Sequence, residues 1–118
     1  MHELGMCESV LYAVQRRAGN RRVTGLRVHV GALNRVVEPA FVQSFTMVAT
    51  GTVAEDAEID LVIDPAEFRC LQCEASLASA DIMSVCTQCG STSLELVSGE
   101  QILLESISVE STLSSADA

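Results

Sequence analysis

Two pairs of cysteines constrain this chain more than any other feature of its sequence. Cys70 and Cys73 form one Cys-x-x-Cys pair, Cys86 and Cys89 form the other, and twelve residues separate the two pairs. A two-residue gap lets both thiolates of a pair reach one cation, so two such pairs complete a tetrahedral shell. The pattern therefore predicts a four-cysteine metal site. Zinc is the usual occupant of such a shell, and iron in a rubredoxin-like site is the alternative.

Four thiolates leave no coordination position open for water or a substrate, so we expect this site to be structural. The segment around it has few large apolar side chains, and metal binding must therefore supply most of its folding energy. The fifth cysteine, Cys7, falls on an apolar helical stripe and is expected to be a buried core thiol. A further metal ligand or a reactive nucleophile is the alternative for Cys7.

The rest of the chain alternates between helical and strand periodicity. Apolar residues at three- and four-residue steps predict an amphipathic helix from Glu3 to Ala18, and Gly19 follows it as a stop signal. A second helix is predicted from Glu38 to Gly51, with proline in its first turn. Alternating apolar residues predict strands over 22–31, 59–63, 93–97 and 101–110.

These elements predict an α+β fold, with a small three-stranded sheet covered by two helices and an inserted zinc-ribbon-like module that carries the four cysteines. The α/β domain is expected to comprise residues 1–65 plus 98–110, and the inserted zinc-binding domain residues 66–97. Residues 111–118 are small and polar and are expected to form a disordered tail.

The charge of the chain argues against a nucleic-acid partner. Its 118 residues carry a net charge of −9 with seven Lys+Arg, all of them arginine, and residues 36–118 alone carry −13. The arginines at 16, 17, 21 and 22 form either a basic face or, more simply, a solvated helix end. Apolar runs fall far short of the ~20 residues that span a bilayer, so we expect a cytoplasmic protein without membrane association.

The first three residues, Met-His-Glu, form a second candidate metal site. The Met1 amine, the His2 amide and the His2 imidazole can form fused chelate rings, and the amide of Glu3 can close a planar four-nitrogen site near the Glu3 carboxylate. Such a geometry suits Ni²⁺ or Cu²⁺. The other histidine, His29, lies in a predicted strand, where a surface or hydrogen-bonded side chain is the simpler interpretation and a metal ligand the alternative.

Several of these segments together resemble one family. The opening MHELGMC, the helix after it, the stretch VHVGALNRVVEPAFVQSF, the two cysteine pairs and SGEQILLESISVE are similar to the HypA/HybF family of nickel metallochaperones for [NiFe]-hydrogenase maturation. The resemblance covers residues 1–110. It implies nickel binding at His2 and Glu3, with Met1 as a further donor, and structural zinc at Cys70, Cys73, Cys86 and Cys89.

The resemblance also implies a function and partners. The protein is expected to bind Ni²⁺ at its N-terminus and deliver it to the hydrogenase large subunit, assisted by an accessory GTPase, and a homodimer is left open. An enzyme is not expected, because no nucleophile elbow or glycine-rich phosphate loop accompanies Cys7 or His29. The alternative is a zinc-ribbon module that binds another protein without transferring nickel.

Overall fold

The computed structural model describes residues 2–110, and of His2 only the backbone. The disorder predicted for residues 111–118 therefore concerns residues outside the described part. These described residues fold into two α-helices, one short 3₁₀ helix and six strands in an α+β arrangement. In chain order the elements are α1 (His2–Ala18), β1 (Val23–Gly31), a short 3₁₀ helix (Ala32–Asn34), α2 (Glu38–Ala49), β2 (Glu58–Asp64), β3 (Ala66–Cys70), β4 (Ser76–Ser79), β5 (Leu94–Ser98) and β6 (Ile102–Val109).

The first sheet contains three strands in the order β2-β1-β6. Hydrogen bonds from the Glu110 N–H to the Arg22 carbonyl (2.9 Å) and from the Gly31 N–H to the Gln101 carbonyl (2.8 Å) mark the two ends of the β1–β6 pair. Partners that advance along one strand while they retreat along the other define an antiparallel pair. The predicted strands 22–31, 59–63 and 101–110 thus correspond to β1, β2 and β6.

The two helices pack against each other and bury aliphatic and aromatic side chains. α1 ends where Gly19 adopts a left-handed φ of 65° and donates its N–H to the Gln15 carbonyl, which is a common helix stop. In α2, Phe41 and Phe45 are completely buried, one helical turn apart. Neither α1 nor α2, the helices within the described residues, has the length and apolar character needed to cross a membrane.

The second sheet has the strand order β4-β3-β5. Its strand β5 confirms the strand predicted over 93–97, whereas β3, β4 and their pairing into a sheet were not predicted from the sequence. Phe68 in the middle strand faces Leu77 on one side and Leu96 on the other, and both pairs are antiparallel. Val97 is an extra residue between the paired positions of β5, which makes a bulge. β3 and β4 have five and four residues, and neither contains enough alternating apolar residues to stand out as a periodic signal.

The chain divides into two compact units. The first unit contains the chain up to Val28, Val37–Leu61 and the chain from Leu103, and the second contains His29–Val36 and Val62–Ile102. The second unit has a small core of its own, formed by Ala66, Phe68, Cys70, Leu77 and Cys86 with Leu33, Ala75, Met83 and Leu94 packed around it. Two of the five buried residues are cysteines, so this core contains few large side chains.

A close approach of two backbone segments holds part of the second unit together. Gly31 lies directly against the carbonyl group of Gly99, where a Cβ atom on Gly31 would overlap it. The Leu33 N–H donates a hydrogen bond to the same Gly99 carbonyl at 2.9 Å. Gly99 itself has a φ of 149° and lies against Ala66. The segment that follows β1 is therefore a structural part of the second unit.

Candidate metal centres

The four cysteines lie on two turns with the same hydrogen-bond pattern, which we call the knuckles: residues 70–75 and residues 86–91. In the first knuckle the Glu74 N–H donates to the Cys70 carbonyl at 2.9 Å, and the Cys70 N–H donates to the Ala75 carbonyl at 3.0 Å. The second knuckle repeats both bonds at equivalent positions, at 2.9 and 2.8 Å. The repeated Cys-x-x-Cys sequence thus produces a repeated local fold.

Each knuckle requires a left-handed residue directly after its second cysteine. Glu74 has a φ of 64° and Gly90 a φ of 79°. Glycine adopts this conformation without a steric penalty, whereas a residue with a Cβ atom is strained by roughly 1–2 kcal/mol. The first knuckle therefore carries a strained residue at a position where the second has none.

The two knuckles bring the four sulfurs together. The Sγ atoms of Cys70, Cys73, Cys86 and Cys89 all lie within 4.8 Å of one another. Two sulfur–sulfur contacts join the knuckles, at 3.6 Å for Cys70–Cys89 and at 3.7 Å for Cys73–Cys86. Backbone N–H groups also point at the sulfurs, from Cys73 to Cys70 at 3.4 Å and from Gln88 to Cys86 at 3.3 Å. All four residues that the sequence predicted as one site are therefore adjacent.

The environment separates the pKa values of these thiols. The backbone N–H of Cys73 is the main reason why the pKa of Cys70 falls to about 6. The N–H of Ala75 favours the Cys73 thiolate, but partial desolvation by the surrounding atoms and hydrogen bonds to the neighbouring sulfurs outweigh it and raise the pKa of Cys73 to about 12, although the residue is exposed. Without a cation, close sulfurs oppose further ionisation of one another, and a bound divalent cation removes that opposition.

These residues fit a tetrahedral site for a soft divalent metal. Four thiolates complete the shell, so the site can hold structure but offers no open position for a reactant. The small core of the second unit agrees with this role, because a metal held between the knuckles would add the cohesion that its side chains lack.

The other predicted site lies at the start of α1. Met1 is outside the described residues, and the backbone of His2 begins the helix. Glu3 lies in the first turn of α1 and is half-buried. Burial of the Cys7 thiol and, to a smaller extent, the negative charge of Glu3 raise the pKa of Cys7 to about 11. The Cys7 thiol is completely buried and donates to the Phe41 carbonyl, with a sulfur–oxygen distance of 3.4 Å, which confirms the prediction of a core thiol.

His29 is held by the carboxylate of Asp64, a residue that the sequence alone did not indicate as its partner. Its Nδ1 atom lies 2.9 and 3.1 Å from the two carboxylate oxygens of Asp64, and both side chains are partly buried. A hydrogen-bonded side chain is the simpler interpretation that the sequence favoured. Asp64 occurs in an alternating strand pattern, where no sequence signal links it to a histidine 35 residues earlier.

The arginines at the end of α1 and just after it are exposed to solvent and make contacts at the surface of the first unit. Arg16 donates to the Tyr12 hydroxyl at 3.2 Å, and Arg17 donates to the Glu105 carbonyl at 3.3 Å. Arg22 lies 3.8 Å from a carboxylate oxygen of Asp56. These contacts agree with a solvated helix end, the simpler of the two sequence interpretations.

The fold and the four-sulfur cluster define a class: a small α+β metal-binding protein with two compact units, one of which is built around a cysteine site. Within this class, the model of one family, described as "Hydrogenase/urease nickel incorporation, metallochaperone, hypA", matches residues 1–109. The chain belongs to this HypA family.

Curated relatives support this family assignment, and a solved structure supports the fold. The chain is 33% identical to hydrogenase maturation factor HypA of Acidithiobacillus ferrooxidans over 113 residues, and 34% identical to hydrogenase maturation factor HybF of Escherichia coli. Both alignments cover 93% of this chain and all of the relative. The solution structure of the Ni metallochaperone HypA from Helicobacter pylori superposes with a TM-score of 0.66 over 92% of this chain and 97% of that one, at 22% identity. At that identity the superposition supports the fold.

Proposed function

We propose that this protein binds Ni²⁺ at its N-terminus and delivers it to the large subunit of a [NiFe]-hydrogenase during maturation. Membership of a nickel-incorporation family over residues 1–109 carries the proposal, because that match includes the Met-His-Glu start. The proposed ligands are the Met1 amine, the His2 imidazole, local amide nitrogens and the Glu3 carboxylate. Nitrogen donors in a plane suit Ni²⁺.

Nickel is the cargo of this reaction, so its site must release the ion as well as bind it. A site at the start of a chain needs no opening of a core before ligands exchange with an acceptor. Amine and amide protons must leave when the metal binds, so nickel affinity should fall as the pH is lowered. The protein would act by binding and transfer, without a chemical change to a substrate.

The second metal in the proposal is zinc, held by Cys70, Cys73, Cys86 and Cys89. It would supply folding energy to residues 66–97, the proposed zinc-binding domain. Residues 1–65 and 98–110 would form the nickel-binding domain. The protein would act in the cytoplasm, and its partners would be an accessory GTPase and the hydrogenase large subunit. A second copy of this chain is a further candidate partner, in a homodimer.

Nickel titration by calorimetry tests the ligand assignment. The untagged protein should bind about one Ni²⁺ per chain at this site, and His2→Ala or an N-terminal extension that blocks the Met1 amine should abolish it, with zinc content unchanged. Glu3→Gln should weaken binding, whereas Glu8→Gln, on the exposed side of α1, should leave it unchanged. Nickel affinity that is the same in His2→Ala as in the parent would contradict the proposal and favour a zinc-ribbon interaction module.

Delivery needs a second assay, because binding alone does not establish transfer. The nickel-loaded protein should supply metal to a purified hydrogenase large-subunit precursor in the presence of the accessory GTPase. The His2→Ala variant serves as the control, and equal transfer by this variant would exclude the N-terminal site as the donor.

A further inference from the structure

The four cysteines differ in their access to solvent. Cys70 and Cys86, the first cysteine of each knuckle, are buried in the core of the second unit. Cys73 and Cys89, the second of each knuckle, are exposed. A dissolved reagent therefore reaches one sulfur of each knuckle first.

The close sulfur contacts connect each exposed cysteine to a buried one of the opposite knuckle. Cys89 lies 3.6 Å from Cys70, and Cys73 lies 3.7 Å from Cys86. The buried sulfur of each knuckle also accepts a hydrogen bond from the backbone of its own turn. The arrangement thus offers each exposed sulfur a nearby partner from the other knuckle.

We propose that this cluster is an oxidation site for hydroperoxides, in which Cys73 and Cys89 react first and then form disulfides with Cys86 and Cys70. The inference rests on the zinc site of the proposed function, and it concerns what the same four residues do when an oxidant is present.

The chemistry needs only the peroxide as a second reactant. In the zinc-loaded protein the exposed cysteine would be held as a thiolate. This thiolate attacks one peroxide oxygen, the O–O bond breaks, and a sulfenic acid forms while hydroxide leaves. The buried thiolate of the opposite knuckle then attacks the sulfenic sulfur, an S–S bond forms, and a second hydroxide leaves. Two protons convert the hydroxides to water. Each disulfide thus consumes one hydrogen peroxide, and zinc is released because its ligands are oxidised.

The choice of which cysteines pair decides whether the two knuckles stay connected after oxidation. Disulfides between the knuckles keep residues 70–75 next to residues 86–91 after the metal has left. Disulfides within each Cys-x-x-Cys pair would leave the knuckles unconnected. Pairing between knuckles therefore makes the oxidised form ready to take up zinc again once a thiol reductant has been added.

Limited oxidation of the zinc-loaded protein with hydrogen peroxide tests this inference. We expect loss of four of the five thiols and release of one zinc per chain, with both reversed by dithiothreitol and added zinc. Cys7 should stay reduced because it is buried in the first unit, and the Cys7→Ala variant, as a matched control, should lose the same four thiols.

Digestion after glutamate identifies the pairing. Cleavage after Glu67, Glu74 and Glu95 places Cys70 and Cys73 on one peptide and Cys86 and Cys89 on another. We expect the two peptides to be joined until reduction, with fragmentation that shows Cys70–Cys89 and Cys73–Cys86 bonds.

Separate peptides with internal disulfides, or joined peptides with the opposite pairing, would overturn the inference. Zinc and all thiols retained after treatment with excess peroxide would also overturn it. Metal analysis before oxidation distinguishes this failure from a failure of the zinc assignment. Protein isolated without zinc would contradict that assignment, and reduced metal-free protein would still give a decisive pairing in the same digest.

Discussion

Replacement of Gly31 by alanine tests whether the second unit depends on its closest backbone contact. Gly31 has a φ of −64° and a ψ of 142°, a conformation that any residue adopts. Backbone strain therefore does not contribute, and the effect of Gly31→Ala is steric. The new Cβ atom would overlap the carbonyl group of Gly99. This neighbour is backbone, so a change of side-chain rotamer cannot relieve the overlap.

The size of the effect follows from what holds the two segments in place. The Gly31 N–H donates to the Gln101 carbonyl at 2.8 Å, and the Leu33 N–H donates to the Gly99 carbonyl at 2.9 Å. Separation of the segments weakens at least one of these bonds, at about 1 kcal/mol each. Overpacking against fixed atoms costs a further 1–3 kcal/mol or so. We therefore expect Gly31→Ala to lower the free energy of unfolding of the second unit by about 2–4 kcal/mol.

Urea unfolding of the zinc-loaded protein, followed by zinc release to a coloured chelator, measures this change in the unit that carries the cysteines. Gly5→Ala is the matched control, because Gly5 lies in α1 and a Cβ atom there would meet nothing within 4 Å beyond its own helix backbone and chain neighbours. Alanine at this position should stabilise the helix by roughly 0.5–1 kcal/mol. A free energy of unfolding for Gly31→Ala that equals that of the parent protein would refute the reasoning.

Three further outcomes are expected. Gly90→Ala should weaken zinc binding by about tenfold in a chelator competition, because it adds strain at a left-handed position. Glu74→Gly should strengthen zinc binding, because it removes strain at the equivalent position, and equal affinities of the two variants would contradict this. In the folded protein at pH 8, Cys7 should react with iodoacetamide about 100-fold more slowly than a free thiol, because its raised pKa of about 11 suppresses the thiolate. Mass spectrometry should show that unfolding the protein restores the rate of a free thiol. Zinc removal should disorder residues 66–97 while circular dichroism retains the signal of α1 and α2; loss of most helix would show that the first unit also depends on the metal.

Elements with a long periodic pattern could be predicted from the sequence. The stripe of α1 extends over several helical turns, apolar and polar residues alternate in the strands predicted over 22–31 and 59–63, and the structure has α1, β1 and β2 at the expected places. The four cysteines were also recognised as one site, because the chemistry of tetrahedral ligation fixes their spacing. Patterns of this kind involve residues that are close together in the chain, so the sequence alone is enough to recognise them.

Several features that depend on residues distant in the chain were not predicted. β3 and β4 are short, and their sheet follows from pairings such as Phe68 with Leu77 and Leu96, which no single segment encodes. The contact of His29 with Asp64 joins residues 35 positions apart. The exposure of Cys73, in contrast to Cys70, became evident only in the folded chain, because burial depends on the core that packs around each knuckle.

The central claim is that nickel binds to nitrogen and oxygen donors at the start of the chain, apart from the four-cysteine site. X-ray absorption at the nickel edge, on untagged zinc-loaded protein with one equivalent of Ni²⁺, tests it most directly. We expect a planar nickel site with nitrogen and oxygen neighbours and no sulfur, while the zinc edge retains four sulfur neighbours. Sulfur at the short distances of nickel thiolates, or displacement of zinc by nickel, would contradict it.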